Sequence, residues 1–328
     1  MENRVLIIGA GLAGSIAFHA LRSFNPVIVE AQEQPKDNVV GLHPAVMRLR
    51  DSKVAEVIGA EYEEVKVSKG IFLDGRLLQS SNIRANNLYS MKVYGALGRR
   101  SLNTVGEVKR YLLPYGYKAP SNTLWGLRFK GAQDGVASFS GRSAVDEEIP
   151  YNWLVSTLPM IDMVNNYIGE PEGGFRTPIK FGHNPVYVLR MKTKIPSTIH
   201  QTIYFPNPET NIYRVTIQNQ WIIIEAVEKE HYSDFEEMIE TAFGIPDLFG
   251  RGVTSNGWEQ MRIGKIIPID ENERLRYIMW LTDRHKIISF GRFSVWRPLR
   301  TDQLLDDAEK IRRLVSASGI KAQYRSRM

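Results

Sequence analysis

The chain has no cysteine. Disulfides, thiolate metal sites, a redox-active cysteine pair and a cofactor tethered through sulfur are therefore excluded. Histidine is sparse: His19, His43, His183, His200, His231 and His285 are the six, and no two have metal-ligand spacing, so no metal is expected. No apolar run reaches the ~18 residues that a membrane span needs. The chain also enters its first apolar strand at Arg4, which leaves no space for a signal peptide. A cytoplasmic protein without a membrane partner is the expectation.

Against these absences stands one dense motif. Arg4–Ile8 (RVLII) reads as a buried strand, and Gly9-Ala10-Gly11-Leu12-Ala13-Gly14 follows without a gap. A helical pattern through Ile16, Ala17, Ala20 and Leu21 comes next, then a second apolar strand, Val27–Val29, ending on Glu30. Gly9 permits a tight turn, Gly11 lets backbone approach a pyrophosphate, and Gly14 lets helix and strand pack closely. The helix N-terminus, at Leu12 and Ala13, offers unpaired N–H groups to phosphates. Glu30 stands about 20 residues past the first glycine, where a carboxylate accepts hydrogen bonds from a ribose diol. The strand before, the helix after and the acid at the end of the second strand together point to dinucleotide binding.

The length of 328 residues predicts one large domain or two intimately joined ones. The formal charge is +6 with a pI near 9.3. Two readings stay open: a solvated basic surface with a basic tail (Arg312, Arg313, Lys321, Arg325, Arg327), or attraction to a polyanion or a phosphate-bearing substrate.

Further along, Pro44 suits the first turn of a helix that includes Met47 and Leu49. Ile71–Leu73 and Arg76–Leu78 flank Asp74-Gly75 as a hairpin, and so do Gly126–Lys130 and Val136–Ser140 around Asp134-Gly135. Tyr94–Arg110 reads as helix and loop. Trp153–Thr157 reads as a buried strand ending at Leu158-Pro159. Val186–Met191, Thr202–Phe205, Tyr213–Ile217 and Trp221–Ala226 alternate most strongly and predict an antiparallel sheet. A late strand, Ile287–Phe290, meets Gly291-Arg292, so the C-terminal segment is expected to return to the first sheet.

Four of these segments together resemble one superfamily. GAGLAG with Glu30 resembles the FAD-binding start of glutathione-reductase-like flavoproteins. Leu154–Pro159 resembles the strand-to-Pro segment shared by flavin amine oxidases and UDP-galactopyranose mutases. Ile203-Tyr204-Phe205-Pro206 with Tyr213-Arg214-Val215 resembles a pair of substrate-domain strands in the mutase-like branch. Phe290-Gly291-Arg292-Phe293, followed by Trp296, Leu299 and Asp302, is similar to that branch's closing flavin motif. The resemblance implies FAD rather than NAD, held by Gly9, Gly11, Leu12, Ala13, Gly14, Glu30, Gly41, Thr157, Pro159, Gly291, Arg292 and Trp296. Family members carry an Arg and paired glycines after the acid; this chain has only Gly41, then Leu42-His43-Pro44.

The fold class expected is α/β: a Rossmann-type FAD-binding domain with a parallel central sheet, plus an interleaved substrate domain with an antiparallel β-sheet. The expected division is FAD-binding at 1–80, a helical and hairpin region at 81–150, FAD-binding again at 151–165, the substrate domain at 166–280, and a last FAD-binding part with the C-terminal helix at 281–328.

No second G-x-G-x-x-G follows, since Gly95–Gly98 has the wrong spacing, so nothing marks an NAD(P)H domain. The candidate catalytic residues are His43, Lys265, Tyr204 and Arg214. An arginine on a sheet strand suits a substrate carboxylate or phosphate, or else a surface ion pair. His43 stands at a possible helix start, where a neutral imidazole has access to the flavin or substrate. A lysine held near the flavin is known in amine oxidases, and Lys265 is the candidate here; the plainer alternative is a solvent-facing lysine. Tyr204, Tyr213 and Trp221 read either as an aromatic wall over the flavin or as core.

The activity expected is FAD-dependent oxidation of a C–N bond in an amine or amino-acid-like substrate, by hydride transfer to flavin N5. Imine hydrolysis then gives an oxidase or lyase outcome. The substrate would be a small-molecule or nucleotide-linked amine. Three alternatives stay open: a redox-neutral, mutase-like enzyme on a nucleotide sugar; amine cleavage on a hypermodified base in bacteriophage-type DNA, which makes nucleic acid a partner; and a cofactor-binding protein without catalysis. The oligomeric state stays open.

Overall fold

A computed structural model describes residues 4–35, 39–40, 48–78, 80–102, 105–141, 146–177, 179–193, 198–250 and 253–325, with backbone alone at 232 and 318–325. Strand β1 (Val5–Ile8) is buried at all four positions. Val5 and Ile7 enter one core and Leu6 and Ile8 another, as befits a parallel strand covered on both faces. Helix α1 (Leu12–Ala20) leads to β2 (Val27–Glu30), which lies parallel to β1.

The chain then leaves this sheet through β3 (Val39–Val40), β4 (Arg48–Leu49) and helix α2 (Lys53–Val57). Strand β5 (Glu63–Leu73) turns through Asp74 and Gly75, both at positive φ, into β6 (Arg76–Leu78). Helix α3 (Ile83–Tyr94) starts where the Asn82 side chain accepts the Ala85 N–H at 2.8 Å and stops at Gly95, φ 68°. Strand β7 (Gly106–Leu112) follows, then β8 (Tyr117–Lys118) and β9 (Thr123–Trp125). Strands β10 (Arg128–Gln133), β11 (Val136–Ser140) and β12 (Asp146–Pro150) form a three-stranded antiparallel sheet around the expected Asp134-Gly135 turn.

Strand β13 (Trp153–Ser156) and the short helix α4 (Met160–Asp162) come next. The four expected antiparallel strands are β14 (His183–Lys192), β15 (His200–Tyr204), β16 (Ile212–Gln218) and β17 (Trp221–Ala226). Helix α5 (Glu236–Phe243), strand β18 (Thr254–Ile266), helix α6 (Glu271–His285), strand β19 (Ile287–Ser289) and helix α7 (Gln303–Arg325) complete the chain.

Two sheets organise these elements. The order β19-β13-β1-β2-β9 is parallel throughout, so the late strand does return beside β13. On one face α1 and α7 bury Ile16, Leu304, Ala308, Ile311 and Val315; on the other lie Phe129 and Phe139 of the small sheet and Tyr277 of α6. The second sheet runs β18-β14-β17-β16-β15-β5-β7-β4, with β6 on β5, and is antiparallel except where β15 meets β5. Helix α5 covers one of its faces with Ile239 and Phe243, joined by Phe235 just before its start, and α3 covers part of the other with Ala85, Tyr89 and Val93.

Three expectations need correction. Residues 106–112 are strand, not helix and loop, because exposed Glu107 and Lys109 alternate with half-buried Val108 and Arg110, and charge on both faces hides the period of two. Leu49 lies in a strand paired with Tyr111, not in a helix; residues 41–47, with the rest of that stretch, lie outside the described residues. Residues 63–78, assigned from the sequence to the FAD-binding part, are strands of the antiparallel sheet.

The joint between β1 and α1 permits no side chain at Gly14, whose Cβ would lie 1.7 Å from the Gly9 carbonyl oxygen. Gly14→Ala is expected to lower the unfolding free energy by about 1–3 kcal/mol or more, read from the urea midpoint. An unchanged midpoint would show that the joint relaxes freely.

Candidate active site

The Gly9–Gly14 turn occupies the C-terminal edge of the parallel sheet. Gly9 has φ +96°, and a Cβ on it would meet Thr157 Oγ1 at 2.3 Å; that hydroxyl donates to the Ile8 carbonyl at 2.7 Å. Protein packing thus explains Gly9 and Gly14. Gly11 is different. Its backbone (φ −64°, ψ −179°) suits any residue, and its missing Cβ would point into open space. A glycine unneeded by the chain itself, at the N-terminus of α1 without a side-chain cap, fits close approach by a phosphate. The Glu30 carboxylate accepts the Ala10 N–H at 2.8 Å and the Gln32 N–H at 3.0 Å, which fixes its orientation beside this turn.

The late junction arrives at the same place. Gly291, φ +91°, lies so near α1 that a Cβ would stand 2.9 Å from that of Ala13. The Phe290 N–H donates to Ser156 O and the Met160 N–H to Phe293 O, both at 2.9 Å, so Thr157 and Pro159 sit between the two glycine segments. Arg292 reaches the other sheet: its Nη2 donates to the Gly264 carbonyl at 2.9 Å, and its guanidinium lies 4.3 Å from the Phe293 ring. Its buried Nε has no acceptor among the described residues. Burial pulls Arg292 below its ordinary pKa.

Lys265 follows Gly264 directly. Its Nζ lies 4.7 Å from the Tyr213 ring centroid, a cation–π contact. Burial first, and then Arg214, pull this lysine down to about 7, although Glu225 opposes them. Tyr213 donates to Glu225 Oε1 at 2.9 Å, and Arg214 Nε pairs with Glu225 Oε2. Burial alone would raise Glu225, but Arg214 and Lys265 hold it below the usual carboxylate range. Tyr89 meets Tyr204 and Tyr213 edge to face, at 5.7 and 6.0 Å.

Strand register turns this corner into a basin of about 230 Å³. Side chains in register across neighbouring strands share a face. One row is Val188–Glu225–Arg214–Tyr204; the next is Arg190–Ile223–Thr216–Thr202, which runs on to Lys69 of β5. Arg48, Arg50, Arg100 and Arg110 enclose the rest. Seven cations therefore line the basin against one carboxylate, Glu225. Arg48 is held by neutral acceptors: Gln218 Oε1 at 2.5 Å, Thr202 Oγ1 at 2.7 Å and the Ile217 carbonyl at 3.3 Å. Lys69 is 8% exposed and has no carboxylate partner among the described residues. Burial, with Arg110 and Arg50 next, pulls it down to about 7.

Of the residues expected from sequence, Tyr204 and Arg214 line this basin, Lys265 lies against the neighbouring Tyr213 ring, and Gly9, Gly11, Leu12, Ala13, Gly14, Glu30, Thr157, Pro159, Gly291 and Arg292 gather around the turn. Trp296 does not join them. It is fully buried with its indole N–H on the Ile267 carbonyl at 3.1 Å and its ring against Phe181, so it presents no surface to a cofactor. Gly41 and His43 lie outside the described residues. Sequence reasoning missed Glu225 and the cations other than Arg214. Lys69 was findable: it interrupts the apolar face Val65-Val67-Lys69-Ile71-Leu73 of one strand, where an unneeded charge is costly.

Lys69, Lys265 and Lys92, whose Nζ donates to the Phe205 and Ile212 carbonyls, are each lowered to about 7. The unfolded chain binds those protons up to about pH 10.4. Stability is therefore expected to rise from pH 7 toward pH 10, because there the unfolded state holds more protons. Lys69→Met removes about 1 kcal/mol or more of that rise, measured as the difference in urea unfolding free energy between pH 7 and 9.5. Identical profiles for variant and wild type would refute the assignment.

No protein-family profile matches the sequence, and no curated protein sequence matches it. Solved structures do. A reduced UDP-galactopyranose mutase superposes with a TM-score of 0.68 at 15% identity, covering 97% of this chain and 94% of that one. A fatty acid isomerase from P. acnes that produces CLA gives 0.61 at 12% identity, covering 94% and 98%. A putrescine oxidase bound to putrescine gives 0.59 at 9% identity, covering 97% and 99%. The chain therefore shares the overall fold of these three structures, two of which are of the kinds its four motifs resemble.

Proposed function

We propose that this protein is an FAD-dependent enzyme that oxidises a C–N bond of an amine or amino-acid-like substrate, the imine product then taking up water. One observation carries the reading: an unbroken line of contacts runs from Ala13 through Gly291 and Arg292 to Gly264 and Lys265. It joins a dinucleotide turn to a lysine poised near neutrality. The residues that would hold FAD are Gly9, Gly11, Leu12, Ala13 and Gly14 at the diphosphate, Glu30 at the ribose, and Thr157, Pro159, Gly291 and Arg292 across from them. The partnerless Nε of Arg292 fits an acceptor on such a group. Bound there, FAD supplies a two-electron acceptor.

The protein's own groups supply the rest. Lys265, lowered to about 7 by burial, takes a proton at Nζ from a substrate ammonium and frees the nitrogen lone pair. Tyr213 holds that amine in place from one side. Tyr89, Tyr204 and Tyr213 are buried and exclude water from it. Arg214, steadied by Glu225, turns its remaining donors to a substrate anion. Gly41 and His43 remain candidates on sequence grounds alone.

A second reading, redox-neutral and mutase-like on a nucleotide sugar, draws support from the cations around Arg214. Activity that appears only after dithionite reduction would favour it.

The purified protein is expected to show the absorption of oxidised flavin, bleached anaerobically by its amine substrate. The bleaching rate should rise with pH through about 7, as Lys265 loses its proton. Lys265→Met should slow it roughly 100-fold or more and flatten that rise, with FAD retained. No bleaching by any free or nucleotide-linked amine would end the oxidase reading; a variant with wild-type rate and profile would end the role of Lys265.

A further inference from the structure

The basin makes a demand that a simple amine does not meet. Seven cations converge on it, and Glu225, its one carboxylate, is already paired with Arg214. Arg190 is paired with Glu259 at its edge, at 2.5 Å. Arg50, Lys69, Arg100 and Arg110 have no carboxylate partner among the described residues, and Lys69 is nine-tenths buried. A free polyamine, itself a cation, would be repelled from such a site. A single diphosphate would leave several of these charges without a counter-ion.

The register shows where the basin leads. Beyond the row of Arg190 and Thr202, the same sheet face continues as Lys192–Trp221–Gln218–His200. Lys192 Nζ lies 5.7 Å from the Trp221 ring centroid, at the outer end of the same face. Cations that track a backbone, beside an aromatic ring on which a base stacks, are the elements of single-strand recognition. A cavity of about 230 Å³ has no room for a duplex, so a base would enter from a single strand or after extrusion from its stack.

We propose that the basin is a polynucleotide site: the amine that this enzyme oxidises is carried on a base, the strand phosphates lie on the basin cations, and a neighbouring base stacks at Trp221. The proposal rests on the reading of Lys265 as the reacting corner, since Arg214 of the basin wall directly follows Tyr213, whose ring Lys265 Nζ faces.

The test is fluorescence anisotropy of a fluorescein-labelled 12-mer oligodeoxythymidylate with the FAD-loaded full chain, from 50 to 200 mM NaCl. Binding is expected to be saturable and to weaken with salt by several powers. Arg50→Ala and Arg110→Ala, at positions that are not core, each lower the salt exponent by about 1. Trp221→Ala weakens binding about five-fold or more and leaves that exponent unchanged. Arg312→Ala with Arg313→Ala, on distant α7, alters neither. The proposal is overturned if the 12-mer does not bind, if the α7 substitutions matter as much as those in the basin, or if inorganic pyrophosphate alone binds in a manner sensitive to Arg110. Because anisotropy needs no turnover, a chain that binds DNA but no FAD sinks the flavoenzyme reading, and with it the oxidation of a base-borne amine, and spares the polynucleotide site alone. A chain that bleaches with free amines and ignores DNA does the reverse.

Discussion

Everything at the centre of this molecule depends on backbone approaching backbone where no Cβ fits. The space at Gly14 is taken by the Gly9 carbonyl, and that at Gly291 is nearly taken by Ala13. These contacts seat helix α1 on its strand and bring a segment about 280 residues later in the chain onto the same turn. From there Arg292 reaches the Gly264 carbonyl, tying the parallel sheet to the long strand of the antiparallel one. Larger side chains at any of these glycines would separate the turn from Lys265, and with it the two halves of the proposed chemistry.

The second constraint is electrostatic. The fold concentrates cations on one concave face and supplies a single carboxylate to answer them. Glu225 takes Arg214 and the Tyr213 hydroxyl and Glu259 pairs with Arg190 at the edge, so the remaining charges are held by neutral acceptors or by none among the described residues. Burying charge without a partner costs stability, and the lowered lysines are its signature. Burial first, and then Arg214 of this face, lowers Lys265, so in the proposed function the group that faces a substrate anion also helps to prepare the base.

How much of this was legible varies by element. The parallel strands were, because continuous apolar runs such as Val5–Ile8 and Trp153–Ser156 bury both faces. The strands from β14 to β17 were, because half-buried antiparallel strands alternate. Strand β7 was not, since both of its faces carry charge, and Trp296 was misjudged because a motif position says nothing about which way a ring points. The basin escaped almost wholly: its cations come from five strands and two loops, and each alone reads as an ordinary solvated residue.

The sequence by itself determined the dinucleotide turn, the carboxylate that serves it and the return of the chain's end to the first sheet, since all three are local patterns of glycine, charge and apolar runs. Only the tertiary structure decided that Gly291 touches Ala13, that Lys265 stands beside Tyr213 and Arg292, and that seven scattered cations face one cavity. The reason is physical. A turn is dictated by its own residues, whereas a shift in acidity or a concentration of charge belongs to neighbours that strand register assembles from across the chain.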